Sequence, residues 1–171
     1  EVLQRIPYAT LMPRLQLEYY LTVGRGQILA GATAQAIAAL EAAYTLAPQV
    51  VALAQLPVQL AAIADNLGWA YAMQGNHTAA LRHLKRADAC WQASGNQGRR
   101  AMTLNNLGMI ALEEGLLAEA RGAFSTGLVV AHETARYREE LYLQHSLAEL
   151  EISEGNFDLA RNLFQSAYEL A

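Results

Sequence analysis

Three stretches of the chain copy one another at a fixed spacing of forty residues. They are DNLGWAYAMQGNHTAALRHLKRA from Asp65, NNLGMIALEEGLLAEARGAFSTG from Asn105 and HSLAELEISEGNFDLARNLFQSA from His145 (105 − 65 and 145 − 105). Each carries a small residue (Gly68, Gly108, Ala148), a glycine seven residues on (Gly75, Gly115, Gly155) and an alanine five further (Ala80, Ala120, Ala160). A fainter first copy, LTVGRGQILAGATAQAIAALEAA from Leu21, places Gly24, Gly31 and Ala36 in the same order. A fixed period of this length means stacked supersecondary units, each unable to bury its apolar face alone.

Within a copy, two segments with helical spacing flank the central glycine. Leu67, Ala70 and Tyr71 recur before Gly75, and Ala80, Leu84 and Ala87 recur after it. Gly75 stands where a helix C-terminus needs a residue tolerant of positive φ. Asn76 and Asn156 follow at once and are expected to cap the return helix, whereas Leu116 has no side-chain acceptor to do so. The small residues at 68, 108 and 148, and at 80, 120 and 160, mark faces where two helices approach closely. A larger side chain there would cost roughly 1–3 kcal/mol through overpacking. Each copy therefore predicts an antiparallel helix pair, and neighbouring pairs share a continuous core.

These residues resemble the tetratricopeptide repeat. The resemblance rests on Leu67-Gly68, Tyr71, Gly75, Ala80, Leu84 and Ala87, then on Leu107-Gly108, Gly115, Ala120 and Phe124. It continues with Leu147-Ala148, Gly155, Phe157, Ala160, Phe164 and Ala167. It covers nearly the whole chain and implies an all-α, right-handed α-solenoid of about four antiparallel helix-turn-helix repeats. The expected repeats span 13–52, 53–96, 98–135 and 137–171 of a single domain, 1–171. Two departures stand out: the family's helix-ending proline is clear only as Pro48, and the period exceeds the usual 34 residues. Six extra residues are about 9 Å of helix. Longer repeats of this kind resemble the arrays of MalT-like bacterial transcription activators, and those of some eukaryotic polarity and motor adaptor proteins.

The 171 residues suffice for a sizeable core, and 53% hydrophobic content suits a helical repeat. A net charge of −4 argues against nucleic acid as the partner of this segment. Arg82, Lys85 and Arg86, with Arg99 and Arg100, read as a solvated outer face or a docking surface. The most apolar run, VVALAQLPVQLAAIA, is interrupted by Pro57 and ends before Asp65, too short for a membrane span. Lone Cys90 has no disulfide partner within the chain and fits a reducing, cytoplasmic setting as a small buried hydrophobe. The opening at Glu1 and the apolar finish at Leu170-Ala171 are what a piece of a longer protein would show. Exposed terminal helices would then allow weak homodimers. Pro7 and Pro13 break the pattern of the first 15 residues, and Pro13 is expected in the first turn of the opening helix.

No arrangement of residues suggests catalysis. Gly24-Arg25-Gly26 and Gly31 mimic a phosphate loop, but they fall at repeat positions without the following Lys-Ser or Lys-Thr. His77, His83, His132 and His145 lie in different turns or repeats, read as surface or groove residues, and predict no metal site. Glu113-Glu114 and Glu139-Glu140 are adjacent pairs that read as solvated helix-end charges. Asn76-His77-Thr78 matches a glycosylation sequon but doubles as the capping turn. No enzyme activity and no cofactor are expected.

The resemblance also implies where recognition occurs: the first helix of each repeat lines a concave wall. Carried over by position, the candidates begin with Glu18 and Arg25, then Asp65, Asn66, Trp69 and Met73. The third repeat supplies Met102, Asn105, Asn106, Met109 and Glu113, and the fourth Tyr142, His145, Ser146 and Glu149. Trp69, Met73, Met109 and Tyr142 would form an apolar, adaptable floor. Asn66, Asn105 and Asn106 would pair with a peptide backbone or with sugar hydroxyls. The alternative for Trp69, Met73 and Met109 is ordinary inter-repeat core. Where some members of the family clamp a terminal carboxylate with lysine, this chain has Asp65, Asn105 and His145, which disfavours that ligand. The resulting expectation is a partner- or effector-binding module of a multidomain bacterial transcription regulator, taking a peptide, another domain or a small polar effector. A plain adaptor joining two proteins is the alternative.

Overall fold

The computed structural model describes residues 12–52 and 54–170. Eight helices occur among them and no strand: α1 (Pro13–Leu29), α2 (Thr33–Val50), α3 (Leu56–Met73), α4 (His77–Ser94), α5 (Gln97–Glu113), α6 (Leu117–Glu133), α7 (Tyr137–Ser153) and α8 (Phe157–Leu170). This is the all-α architecture of antiparallel helix pairs that the repeats predict. The chain divides into two compact units, one ending at Ser94 and one beginning at Gly95. α1–α4 make up the first, and α5–α8 the second.

In the first unit α1 packs on α2, α2 on α3 and α3 on α4. Leu17, Leu21, Leu40, Ala43, Ala47, Ile63 and Leu67 form its core. The close approach at the small position is explicit in the α3–α4 pair. A Cβ added to Gly68 would stand 2.6 Å from Leu84 Cγ, where no real side-chain atom sits. In the second unit Gly108 holds the same relation to the Phe124 ring, across α5 and α6. There α5 also packs on α7, which places two first helices side by side.

The turns follow from local chemistry. Gly75 adopts φ 77°, its N–H donates to Ala72 O at 2.9 Å, and the Asn76 N–H reaches back to Tyr71 O at 2.9 Å. Those bonds close the exposed carbonyls of α3. Asn76 Oδ1 accepts the Ala79 N–H at 3.1 Å, so its amide is the helix cap that the sequence suggests. Leu116 makes no side-chain cap, as expected. Asn156 donates its amide to Glu151 Oε2 at 2.9 Å. α1 begins at Pro13, whereas Pro7 lies outside the described residues. Pro48 corrects an expectation, because it stands inside α2 and the helix runs on to Val50. Proline removes one backbone donor, but the Val51 N–H still donates to Ala47 O at 2.9 Å and completes the last turn.

Candidate functional site

Helical periodicity gives each first helix one exposed stripe. On α3, Val58, Trp69 and Met73 are 41%, 50% and 46% exposed, so Trp69 and Met73 are surface residues and not core. Asn66 on the same stripe donates its amide to Ala62 O at 2.7 Å, leaving its carbonyl oxygen for another donor. Asp65 is partly spent on structure: its Oδ2 accepts the indole N–H of Trp91 in α4 at 2.7 Å. Trp91, not Trp69, is the buried tryptophan, 3% exposed among Ala61, Ala64 and Ala87. On α1, Arg25 and Glu18 are both exposed, and Arg25 donates its Nε–H to Leu21 O at 3.2 Å.

The second unit gathers its stripe residues around a cavity. Ala101, Met102, Asn105 and Asn106 of α5 face Glu139 and Tyr142 of α7 across about 280 Å³. The Ser146 hydroxyl ties the helices together by donating to Asn105 Oδ1 at 2.9 Å. That bond orients the Asn105 amide, leaving its NH2 group as a donor. Four residues of the expected set (Met102, Asn105, Asn106 and Tyr142) thus converge. Met109 is half-buried and Glu113 exposed, farther along α5. His145 turns toward α8, its ring edge-on to Phe164 at 5.5 Å, with Nδ1 3.8 Å from Glu149 Oε1.

Two lining residues, Ala101 and Glu139, stand outside the expected site set. Ala101 carries no chemical signal. Glu139 stands three residues before Tyr142 and therefore on the same helix face, a spacing that could have flagged it. Glu139-Glu140 do stand in the first turn of α7, and the reading as solvated charge is corrected at Glu140. Glu139 lines the cavity, and Glu140 is 6% exposed with Oε1 3.0 Å from His132 Nδ1. Successive helical residues point about 100° apart, so adjacent carboxylates meet different surroundings.

His83 corrects the reading of the histidines as surface groups. It is 2% exposed, stacked on Tyr71 with centroids 5.3 Å apart, and its Nε2 lies 3.5 Å from Glu41 Oε1. Nδ1 is buried with no hydrogen-bond partner. Burial pushes the imidazole below its ordinary pKa, with Arg82 and Arg86 acting the same way and Glu41 opposing. Burial likewise raises the Cys90 thiol, which lowers its reactivity. Arg82, Lys85 and Arg86 are exposed, with Arg86 above the Tyr44 ring at 5.9 Å. Between α6 and α7, Arg121 pairs with both Glu151 and Glu154. The Arg121 hydrogen bond holds the buried Glu151 carboxyl below its usual range. Among the described residues no cluster of three or more metal-ligating side chains occurs, and no helix is long and apolar enough to cross a membrane.

Residues 60–93 match the tetratricopeptide repeat family model. No curated protein matches the chain. Among solved structures, the apo form of RapI matches with TM-score 0.82 at 15% identity, over 91% of this chain and 56% of that one. BtubC (BKLC) from P. vanneervenii matches with TM-score 0.82 at 16% identity, over 98% and 66%. The Rap conjugation gene regulator of plasmid pLS20, solved in complex with the Phr* peptide, matches with TM-score 0.72 at 18% identity, over 90% and 42%. The chain spans between two fifths and two thirds of the length of these structures. At such identities the likeness establishes the fold, a tetratricopeptide-like helical repeat.

Proposed function

We propose that this tetratricopeptide-like chain is a non-catalytic interaction module that binds an extended peptide segment of a protein partner. The observation that carries the reading is the convergence of Met102, Asn105, Asn106 and Tyr142 on one cavity between α5 and α7. Its chemistry suits a peptide, because amide groups pair with backbone donors and acceptors while a ring and a thioether cover apolar atoms. Its volume, about 280 Å³, lies just below the roughly 300–1,000 Å³ usual for small-molecule sites. That size accommodates one or two side chains of a peptide. The exposed Trp69 and Met73 of α3 supply a second apolar face in the first unit.

The wider role is the sensing segment of a larger cytoplasmic bacterial regulator, in which occupancy biases the state of the parent protein. Biasing requires different affinity for two states, not binding alone. The pLS20 Rap structure offers a parallel: a gene regulator of this fold held with a peptide. Phe157, Leu159, Phe164 and Tyr168 of α8 are exposed and support weak self-association, which sedimentation at rising concentration reads directly.

Affinity selection of a random-peptide library on the immobilised chain tests the central reading. The expected result is enrichment of related peptides whose binding falls at least tenfold in Tyr142→Ala, about 1.4 kcal/mol. Binding of small sugars with no peptide enriched would favour an effector site, and neither would refute both.

A further inference from the structure

Resting on that peptide-binding reading, we infer that the α5–α7 cavity is a subsite for a basic side chain of the partner, arginine before lysine. Of the six lining residues only Glu139 carries a charge, and none is basic. It is half-buried, so its carboxylate is partly shielded from water and counter-ions. Opposite charge at such a position is felt more strongly than on an open surface.

The remaining walls suit the rest of an arginine. Tyr142, 56% exposed, offers a ring face on the same helix as Glu139, one turn on. A guanidinium can lie against that face while its N–H groups reach the carboxylate, a combination open to a planar cation. Met102, 46% exposed, covers the aliphatic stem. Asn106 contributes a carbonyl oxygen to the fork of donors, and the Asn105 NH2, oriented by Ser146, takes the adjacent peptide carbonyl. An acidic side chain would instead meet Glu139, and an aliphatic one would leave that carboxylate partly desolvated without a partner.

The experiment uses four peptides, acetyl-Ala-Ala-X-Ala-Ala-amide with X arginine, lysine, leucine or glutamate. Each is titrated into the full chain with backbone amides followed by nitrogen-15 NMR. The arginine peptide is expected to shift amides of α5 and α7 and to bind about fivefold or more tighter than the leucine peptide at low salt. Glu139→Gln should erase that preference, by weakening arginine binding and relieving the cost to leucine, and Glu139→Arg should transfer it to the glutamate peptide. Tyr142→Leu, which keeps the apolar floor, should weaken arginine more than leucine. Should leucine or glutamate bind as tightly as arginine at these amides, or Glu139→Gln leave the order intact, the charge inference is overturned while peptide binding stands. A result in which no peptide moves any α5 or α7 amide overturns both.

Discussion

The indole N–H of Trp91 in α4 donates to Asp65 Oδ2 in α3 at 2.7 Å, from a side chain only 3% exposed. Removing the acceptor would leave a buried donor unsatisfied. Asp65→Ala is therefore expected to cost about 1–3 kcal/mol. Urea denaturation followed by tryptophan fluorescence measures it, and an unchanged midpoint would show that the bond contributes nothing net.

Helical glycines in the second unit should respond to alanine with opposite signs. Gly108 meets the Phe124 ring, so Gly108→Ala should destabilise by about 1–3 kcal/mol. Gly122, inside α6, has open space where a Cβ would go, so Gly122→Ala should stabilise by about 0.5–1 kcal/mol. Thermal melts of the two variants separate the effects. A matching sign would remove close helix approach as the reason for the repeat's small position.

Ala135 is the one non-glycine residue with positive φ among those described, at 52°. It holds the turn that Gly95 makes forty residues earlier at φ 70°. The left-handed conformation costs an L-residue roughly 1–2 kcal/mol, so Ala135→Gly should raise stability by about 1 kcal/mol or slightly less. A lowered melting temperature would contradict this.

Stability should also depend on His83. The unfolded imidazole binds a proton near pH 6.5, and the buried folded one only at lower pH. The unfolded state thus holds more protons in between, and the stabilisation present above pH 6.5 is lost as pH falls through that window. His83→Gln should flatten this part of the profile relative to the parent, because His77, His132 and His145 remain in both. Parallel urea midpoints at pH 7.5 and 5.5, about a unit either side of the ordinary value, provide the comparison.

The repeat was legible because close packing and turn geometry tolerate few residue types. Gly68 and Gly108 recur because a side chain of the neighbouring helix occupies the space, with Ala148 fully buried at the same position, and Gly75, Gly115 and Gly155 because the chain needs φ near 70–80° there. Ala135 gives no such signal, because local turn hydrogen bonds (Ala135 N–H to His132 O, Arg136 N–H to Ala131 O) accompany a conformation that its residue type does not announce. The two tryptophans show what periodicity leaves open. Trp69 and Trp91 both lie on helices of one repeat, and only the pairing of α3 with α4 decides that the second is buried. His83 was misread for the same reason: its neighbours Glu41 and Tyr71 come from other helices. Glu139 became part of the candidate site only once α5 and α7 were seen side by side.

The proposed partner lies on α5 and α7, the first helices of their repeats in the second unit. A nitrogen-15 chemical-shift map of the chain, titrated with a peptide recovered by library selection, tests that placement most directly. The largest shifts are expected at Asn105, Asn106 and Tyr142. Largest shifts on Arg82, Lys85 and Arg86 of α4, or along α8, would contradict it.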